Sequence, residues 1–268
     1  MLSRSRASLI GRLSRRRTRE DEGLFLAEGV RVVEDLLAAG IVTRFALISS
    51  SLEDTERGER LARRLEAAAE VERVSDAELA ALADTATPQG VLVVAEIPER
   101  RLEALDVAPD AVFLVLDAVQ DPGNMGTLVR TAEGLGVSGV LSLPGTVDAW
   151  NPKVVRAAAG SVFRLPVVSV AAEALGAWLE RHRVTALAAD MGGAAVDAAD
   201  PGGAVALVVG NEGAGLGEAA ATLARARVAV PLRGAAESLN VAVAAAILLH
   251  ELVRARTGGG TGGVGGEG

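Results

Sequence analysis

Short hydrophobic runs recur along the first hundred residues and alternate with stretches of helical periodicity. Apolar residues at helical spacing predict helices over residues 30–37 and 61–68. Continuous apolar runs predict strands at residues 45–48, 71–74 and 91–94. Ser75 is suited to cap a helix that follows the second of these strands. The pattern indicates a small α/β domain over residues 1–96.

A polar, proline-flanked segment at residues 97–110 is predicted to be a linker. A second domain is expected over residues 111–256, where fully apolar strands alternate with helices, at 111–116, 137–143, 165–170, 184–189, 204–209 and 228–230. Pro166 has no backbone N–H to donate to a neighbouring strand, so the third of these strands is expected to begin at Val167. Continuous apolar strands are typical of a parallel sheet covered on both faces, so we predict the α/β fold class.

The end of the chain combines an apolar helix with a glycine-rich tail. The predicted helix, residues 239–256, is apolar almost all round until His250, which indicates burial on more than one side, against the core and a partner subunit. Residues 257–268 are nearly all glycine and are expected to be disordered.

The amino-acid composition argues against several classes of function. Only 2% of the 268 residues are aromatic and none is Tyr, which argues against single-strand binding by base stacking. Cys is absent and there are two His, so disulfides, thiol nucleophiles, a histidine triad and a metal site are not expected. No apolar run approaches the roughly 20 residues that span a bilayer, and no signal peptide is evident, so a cytoplasmic protein without a membrane partner is expected.

Charge is distributed unevenly along this acidic chain. The net charge is −8, yet the residues before Glu20 carry many arginines and no acidic residue. This basic arm has two interpretations: a solvated, partly disordered terminus, or a contact to nucleic-acid phosphates through Arg15, Arg16, Arg17 and Arg19.

Three predicted strands each end in a loop rich in hydrogen-bonding groups, and ligands of open α/β sheets bind at such strand ends. The first loop covers residues 117–126. Asn124 is predicted to cap a helix whose apolar stripe is Met125, Leu128, Val129 and Ala132. Arg130 points away from that stripe, either as an ordinary surface residue or as a guanidinium held over a ligand.

The second and third loops follow the predicted strands at 204–209 and 228–230. The second, residues 210–215, is a glycine-rich turn with Glu212 at its centre, able to bring backbone N–H groups close to a ligand. In the third, Pro231 is expected to end the strand, Ser238 to cap the last helix, and Asn240 to lie buried in its first turn and so to need partners. The spacing Gly123-Asn124-Met125-Gly126 is not the dinucleotide-binding G-x-G-x-x-G pattern, and no Gly-Lys-Ser/Thr sequence of a P-loop follows any glycine run.

In this order, the three loops resemble the motifs of the SpoU (TrmH) family of RNA ribose 2′-O-methyltransferases, within the SPOUT superfamily. Residues 151–156, Gly160 and 163–166 are also similar to that family, although Ala157-Ala158-Ala159 occupy a stretch where the family often has a Ser. Residues 25–29 and 88–90 resemble the family's substrate-binding domain, of the type of ribosomal protein L30e.

The resemblance implies a fold, a cofactor and a set of roles. It implies a C-terminal trefoil knot, pairing of two subunits through the knot, and structured RNA as the substrate. It assigns S-adenosylmethionine to the residues Gly210, Asn211, Gly213, Val230, Leu232 and Leu239. It assigns activation of the ribose hydroxyl to Arg130, in a catalytic site completed by Asn124, Glu212, Ser238 and Asn240. A guanidinium stays protonated, so Arg130 acts either with an RNA phosphate or by positioning and charge stabilisation.

The function expected is therefore methyl transfer to a ribose 2′-hydroxyl, with 23S rRNA favoured over tRNA. A catalytically inactive RNA-binding protein and a small-molecule α/β enzyme are the alternatives. The presence of Arg130 together with Glu212, Ser238 and Asn240 favours an active enzyme.

Overall fold

The structure, a computed structural model, describes residues 3–199, 202–235 and 237–257. The predicted disordered tail therefore lies almost wholly outside the described residues. The described part of the chain forms two compact units: unit 1 runs up to residue 99 and includes residues 148–164, and unit 2 covers residues 100–147 and continues from residue 165. The division differs from the expected boundaries at residues 96 and 111, because a segment within the expected second domain belongs to unit 1.

The elements are numbered along the chain. The helices are α1 (Arg4–Arg12), α2 (Arg16–Glu22), α3 (Val30–Ala38), α4 (Glu56–Ala68), α5 (Asp76–Ala80), α6 (Pro122–Gly134), α7 (Pro152–Ala157), α8 (Ser161–Arg164), α9 (Ala172–His182), α10 (Val196–Ala199), α11 (Glu218–Leu223) and α12 (Val241–Thr257). The strands are β1 (Leu24–Glu28), β2 (Thr43–Ile48), β3 (Glu70–Arg73), β4 (Val91–Glu96), β5 (Val112–Leu116), β6 (Gly139–Ser142), β7 (Val167–Ser169), β8 (Thr185–Ala194), β9 (Val205–Val209) and β10 (Ala226–Val228).

Unit 1 is built on a mixed four-stranded sheet in the order β1-β4-β2-β3. Strand β4 pairs antiparallel with β1 and β2, whereas β2 and β3 are parallel. The helices and strands predicted from periodicity are present with small shifts of their ends. Ser75 caps α5 as predicted: its hydroxyl accepts from Glu78 N, and the Glu78 carboxylate accepts from Ser75 N.

Unit 2 contains the predicted parallel sheet, with six strands in the order β10-β8-β9-β5-β6-β7. The central strands β5 and β9 are buried along their whole length, which is why their sequences show no polar alternation. After β5 the chain adds β6 and β7 on one side of it. Strand β8 then lies on the other side, and β9 is placed between β8 and β5. This reversal is the topological switch point, where α/β sheets bind ligands.

Two predictions for this unit need correction. The predicted linker is partly core, because Leu102 and Leu105 are buried in the hydrophobic cluster of unit 2. The last strand lies at Ala226–Val228 rather than 228–230, so it ends before Pro231. Helix α12 buries Leu248 and Leu249 against the core, whereas Val243 and Ile247 are 49% and 40% exposed in the single chain, so its burial against a partner subunit stays a prediction. No helix of the described residues is long and apolar enough to cross a membrane.

The basic arm folds into two helices, α1 and α2, and does not form the disordered terminus that one interpretation predicted. Arg19 is 1% exposed, and its Nε and Nη2 both donate to Asp148 Oδ2, at 2.7 and 2.6 Å. The same guanidinium donates to the carbonyls of Leu13 and Ser14. Arg19 therefore belongs to the interior of unit 1, and its predicted phosphate contact is wrong.

The segment 148–164 is attached to the rest of unit 1 by this ion pair and by aromatic contacts. The rings of Phe25 and Trp150 lie 4.7 Å apart, and those of Phe25 and Phe163 lie 5.8 Å apart. The ion pair and the ring cluster together join β1 and α2 to residues distant in sequence.

Replacing Arg19 with Ala should strongly destabilise the protein, because Asp148 would keep a largely buried carboxylate without its partner. Removing one member of a buried ion pair costs about 3–5 kcal/mol. Urea unfolding followed by circular dichroism measures the change.

The matched control is Arg17→Ala. Arg17 is 93% exposed and pairs with Asp21 at 3.6 Å, so its removal should change stability little. Equal unfolding midpoints for the two variants would contradict the structural role of Arg19.

Candidate methyl-donor site at the carboxyl end of the sheet

A chain of side-chain hydrogen bonds joins the three loops singled out in the sequence. Asn240 Nδ2 donates to Asn124 Oδ1 at 3.0 Å, and Asn124 Nδ2 donates to Glu212 Oε1 at 2.8 Å. The three residues are far apart in sequence and belong one to each loop. The structure thus brings together three of the five predicted catalytic residues in a single contact network, which we call the amide chain.

The direction of the amide chain is set by its two ends. Asn240 Oδ1 accepts from Ala242 N at 2.9 Å, so its Nδ2 is left to donate. The Glu212 carboxylate, when ionised, can only accept. Asn124 must therefore present its oxygen to Asn240 and its amide nitrogen to Glu212, which no acidic residue of similar shape could do.

Two capping predictions are corrected by this geometry. Asn124 is not the N-cap of α6; Asp121 is, and its Oδ1 accepts from Asn124 N at 2.7 Å. Asn240, rather than Ser238, caps α12, and it is exposed rather than buried. Asn240 needs its partners because it is both a helix cap and a member of the amide chain.

Asn211 holds the second loop in shape. Its backbone N–H and C=O pair with Gly215 at 2.9 and 3.0 Å, and its Oδ1 accepts from the backbone N–H groups of Gly213 and Ala214. Its Nδ2 reaches the first loop and donates to the carbonyl of Ala118 at 2.9 Å. Ala118 has a φ of 53°, an unfavourable value for a residue with a Cβ, at the turn that follows β5.

Asp117 is a positioning residue that the sequence analysis did not single out. It directly follows β5, is 8% exposed, and its Oδ2 accepts from Gly217 N at 2.7 Å. Its own backbone N–H donates to the Val209 carbonyl, the last residue of β9. An Asp directly after a fully apolar strand was the available signal in the sequence, and the role of Asp117 is to fix the chain just after the second loop.

An open cleft of about 890 Å³ lies beside these loops, within the size range of small-molecule sites. The predicted donor-binding residues all line it, namely Gly210, Asn211, Gly213, Val230, Leu232 and Leu239. Glu212, Ser238 and Asn240 also line it. Glycines, a carboxylate and several aliphatic side chains give it backbone, charged and apolar surfaces together, which fits a ligand with both a charged and an apolar part.

Arg130 lies on α6, six residues after Asn124, or about 9 Å along the helix axis. Met125, Leu128, Val129 and Ala132 are buried, as the predicted apolar stripe requires, whereas Arg130 is exposed. Its guanidinium forms no ion pair or hydrogen bond with a described residue. Arg130 does not line the cleft, and it is free to meet a molecule that approaches from outside.

Comparison with known families identifies the chain. The SpoU rRNA Methylase family model matches residues 111–250, and the MRM3-like substrate binding domain matches residues 8–93. The chain therefore belongs to the SpoU rRNA methylase family, which confirms the resemblance seen in its three loops.

Individual relatives agree with this assignment. The chain is 36% identical to the 23S rRNA (guanosine(2553)-2'-O)-methyltransferase RlmP of Bacillus subtilis, over 90% of this chain and 93% of that protein. It is 31% identical to a 23S rRNA (uridine(2479)-2'-O)-methyltransferase of Streptomyces viridochromogenes, over 93% of this chain and 89% of that protein. The crystal structure of the SpoU methyltransferase AviRb from the same organism, in complex with the cofactor AdoMet, superposes with a TM-score of 0.88 and 31% identity, over 96% of this chain and 100% of that chain.

Replacing Gly210 with Val should weaken the binding of S-adenosylmethionine. A Cβ at this position would lie 2.4 Å from the carbonyl carbon and oxygen of Gly215, so the side chain would force the second loop open. Strain of about 1.4 kcal/mol already corresponds to a tenfold loss of affinity. Titration calorimetry measures the affinity directly.

The control is Gly134→Ala, because a Cβ at Gly134 meets no atom within 4 Å. The two variants should differ in donor affinity while both stay folded. A folded Gly210→Val protein with unchanged affinity would place the donor elsewhere.

Proposed function

We propose that the protein transfers a methyl group from S-adenosylmethionine to a ribose 2′-hydroxyl of 23S rRNA. The observation that carries the proposal is the amide chain, which brings Asn124, Glu212 and Asn240 together beside a cleft at the switch point of the sheet. The relatives that match nearly the whole chain are named as 23S rRNA 2'-O-methyltransferases, which supports rRNA over tRNA.

The residues around the cleft would hold the methyl donor. When bound, S-adenosylmethionine supplies a methyl group on a positively charged sulfur. The backbone of the second loop carries no side chain at Gly213 and can approach a ligand closely there, and Leu232 and Leu239 offer apolar surface. Glu212 contributes a negative charge whose orientation is fixed by Asn124. Ser238 lies on the same wall and offers a hydroxyl.

Arg130 would act on the RNA side of the reaction. A sugar hydroxyl is a poor nucleophile, so the transfer depends on alignment and on stabilising the charge that develops on its oxygen. A guanidinium can bind a phosphate or the hydroxyl oxygen, but it cannot accept the proton. We assign to Arg130 the positioning of the ribose, with an adjacent RNA phosphate as the group able to take the proton.

RNA binding would involve unit 1, most of which matches a substrate-binding domain. In the basic arm, Arg16 is paired with Glu20, whose hydrogen bond raises the pKa of the Arg16 guanidinium. Arg17 pairs more loosely with Asp21 at 3.6 Å, and Arg15 is exposed. These three arginines remain candidate phosphate contacts, because exposed ion pairs are weak and exchange readily with RNA phosphates.

Two copies of the chain are proposed to pair through the C-terminal region, which is also proposed to contain the trefoil knot. Helix α12 packs against α6 and β9 on its buried side. Val243 and Ile247 on this helix remain exposed and would be covered by a second copy.

Replacing Arg130 with Ala should reduce methyl transfer by about 100-fold or more, the usual cost of removing a group that stabilises developing charge. Donor affinity should be unchanged, because Arg130 does not line the cleft. The assay measures transfer of labelled methyl from S-adenosylmethionine to protein-free 23S rRNA, with calorimetry of the donor alongside.

Arg181→Ala, at an exposed position on α9, serves as the control and should retain activity. Near-normal turnover in the Arg130→Ala protein would remove Arg130 from the mechanism. A variant that fails to bind the donor would show that Arg130 belongs to the donor site instead.

A further inference from the structure

A second, smaller cavity lies wholly within unit 1, where β1 ends and α3 begins. Its volume is about 280 Å³, suited to a single ring system rather than a large cofactor. Its wall includes Glu28, Gly29, Arg31, Gln89 and Arg156. The function proposed above makes no use of these side chains.

Glu28 is the first unexplained group in this wall. The residue is 8% exposed, and its Oε1 accepts from Asp84 N at 2.8 Å. Its Oε2 is buried and has no hydrogen-bond partner among the described residues. A buried carboxylate oxygen without a donor costs free energy unless a ligand or water supplies one.

Arg156 is the second unexplained group in the wall of this cavity. Its Nη2 donates to Asp84 Oδ2 at 3.1 Å, while its Nη1 is buried without an acceptor among the described residues. Asp84 thus holds Glu28 with its backbone and Arg156 with its side chain. The result is an unused acceptor and an unused donor on two residues that share Asp84 as a partner and do not pair with each other.

The wall around these two groups is already fixed in shape. Gln89 Oε1 accepts from Val30 N, the first residue of α3, at 2.8 Å. Gly29 has a φ of 91°, which a residue with a side chain would adopt only under strain. These contacts fix this part of the wall without any ligand.

We propose that this cavity binds a guanine base of the RNA substrate, with Glu28 accepting from N1–H and the exocyclic amine and Arg156 Nη1 donating to O6. The Watson–Crick edge of guanine presents two adjacent donors followed by an acceptor. Adenine, cytosine and uracil do not present that order. Unpaired RNA bases are commonly recognised on this edge by side chains.

Arg31 completes the proposed site. It is exposed, lines the cavity, and forms no ion pair with a described residue. A cation at the rim of a base pocket is suited to the phosphate of the same nucleotide. The proposal rests on the proposed function only in taking the ligand to be part of an RNA.

The test compares three fluorescein-labelled RNA pentanucleotides, each with two uridines on either side of a central guanosine, inosine or adenosine. Anisotropy titrations use the full chain without S-adenosylmethionine. Guanosine should bind about tenfold more tightly than the other two, within the usual discrimination of a bidentate base contact. Inosine keeps N1–H and O6 but lacks the exocyclic amine, so it isolates the contribution of that amine to the contact with Glu28.

The Glu28→Gln variant should abolish this preference. Its amide oxygen can still accept from Asp84 N, but an NH₂ group would face the guanine donors. Glu59→Gln, the same change at an exposed position on α4, should retain the preference. Since the wild-type comparison of the three bases needs no variant, a Glu28→Gln protein that fails to fold leaves the test intact.

Equal affinity for the three RNAs would overturn the proposal and leave water as the occupant of the cavity. A guanosine preference that survives in folded Glu28→Gln would also overturn it. Methyl transfer to 23S rRNA is measured separately with the wild-type chain. If the wild-type chain shows no guanosine preference but transfers methyl groups to 23S rRNA, only the proposal for this cavity is rejected. If it shows the preference but transfers no methyl group, only the proposed function is rejected.

Discussion

The site depends on one polar constraint, the hydrogen-bonded chain from Glu212 through Asn124 to Asn240. Three loops that follow different strands would otherwise be free to move independently, since each is exposed at its tip. Asn124 is suited to the middle position because an amide offers a donor and an acceptor on one short side chain. The helix cap at Asn240 fixes one end of the chain, and the acceptor-only carboxylate fixes the other.

The parallel sheet and the location of the site could be predicted from the sequence for a common physical reason. Fully buried strands such as β5 and β9 must be apolar throughout, so the polar residues that follow them stand out. The carboxyl ends of adjacent parallel strands lie at one edge of the sheet, and residues after Leu116 and Val209 are therefore neighbours. Glycine at 210 was recognisable as necessary, and the structure adds a reason that lies inside the loop: a Cβ at this position would collide with Gly215.

What the sequence did not reveal depends on partners distant in the chain. Arg19 resembles its exposed neighbours in sequence, and only its contact with Asp148 shows that it is buried. Asn240 and Ser238 are both good caps, and the choice between them is made by the contact of Asn240 with Asn124. The unpaired atoms of Glu28 and Arg156 likewise become visible only when Asp84 brings the two residues together.

The most direct test of the account measures the affinity for S-adenosylmethionine in variants that exchange the hydrogen-bond donor and acceptor between residues 124 and 212. Asn124→Asp would remove the donor to Glu212 and place two carboxylates together, so affinity for S-adenosylmethionine should fall about tenfold or more, as expected for losing a hydrogen bond to a charged group. In the Asn124→Asp, Glu212→Gln double variant, the new amide at 212 can donate to the new carboxylate at 124, so calorimetry should show an affinity above that of the single variant, but below that of the wild type because the charge at 212 is lost. Wild-type affinity in the Asn124→Asp single variant would contradict the claim that this chain holds the site together.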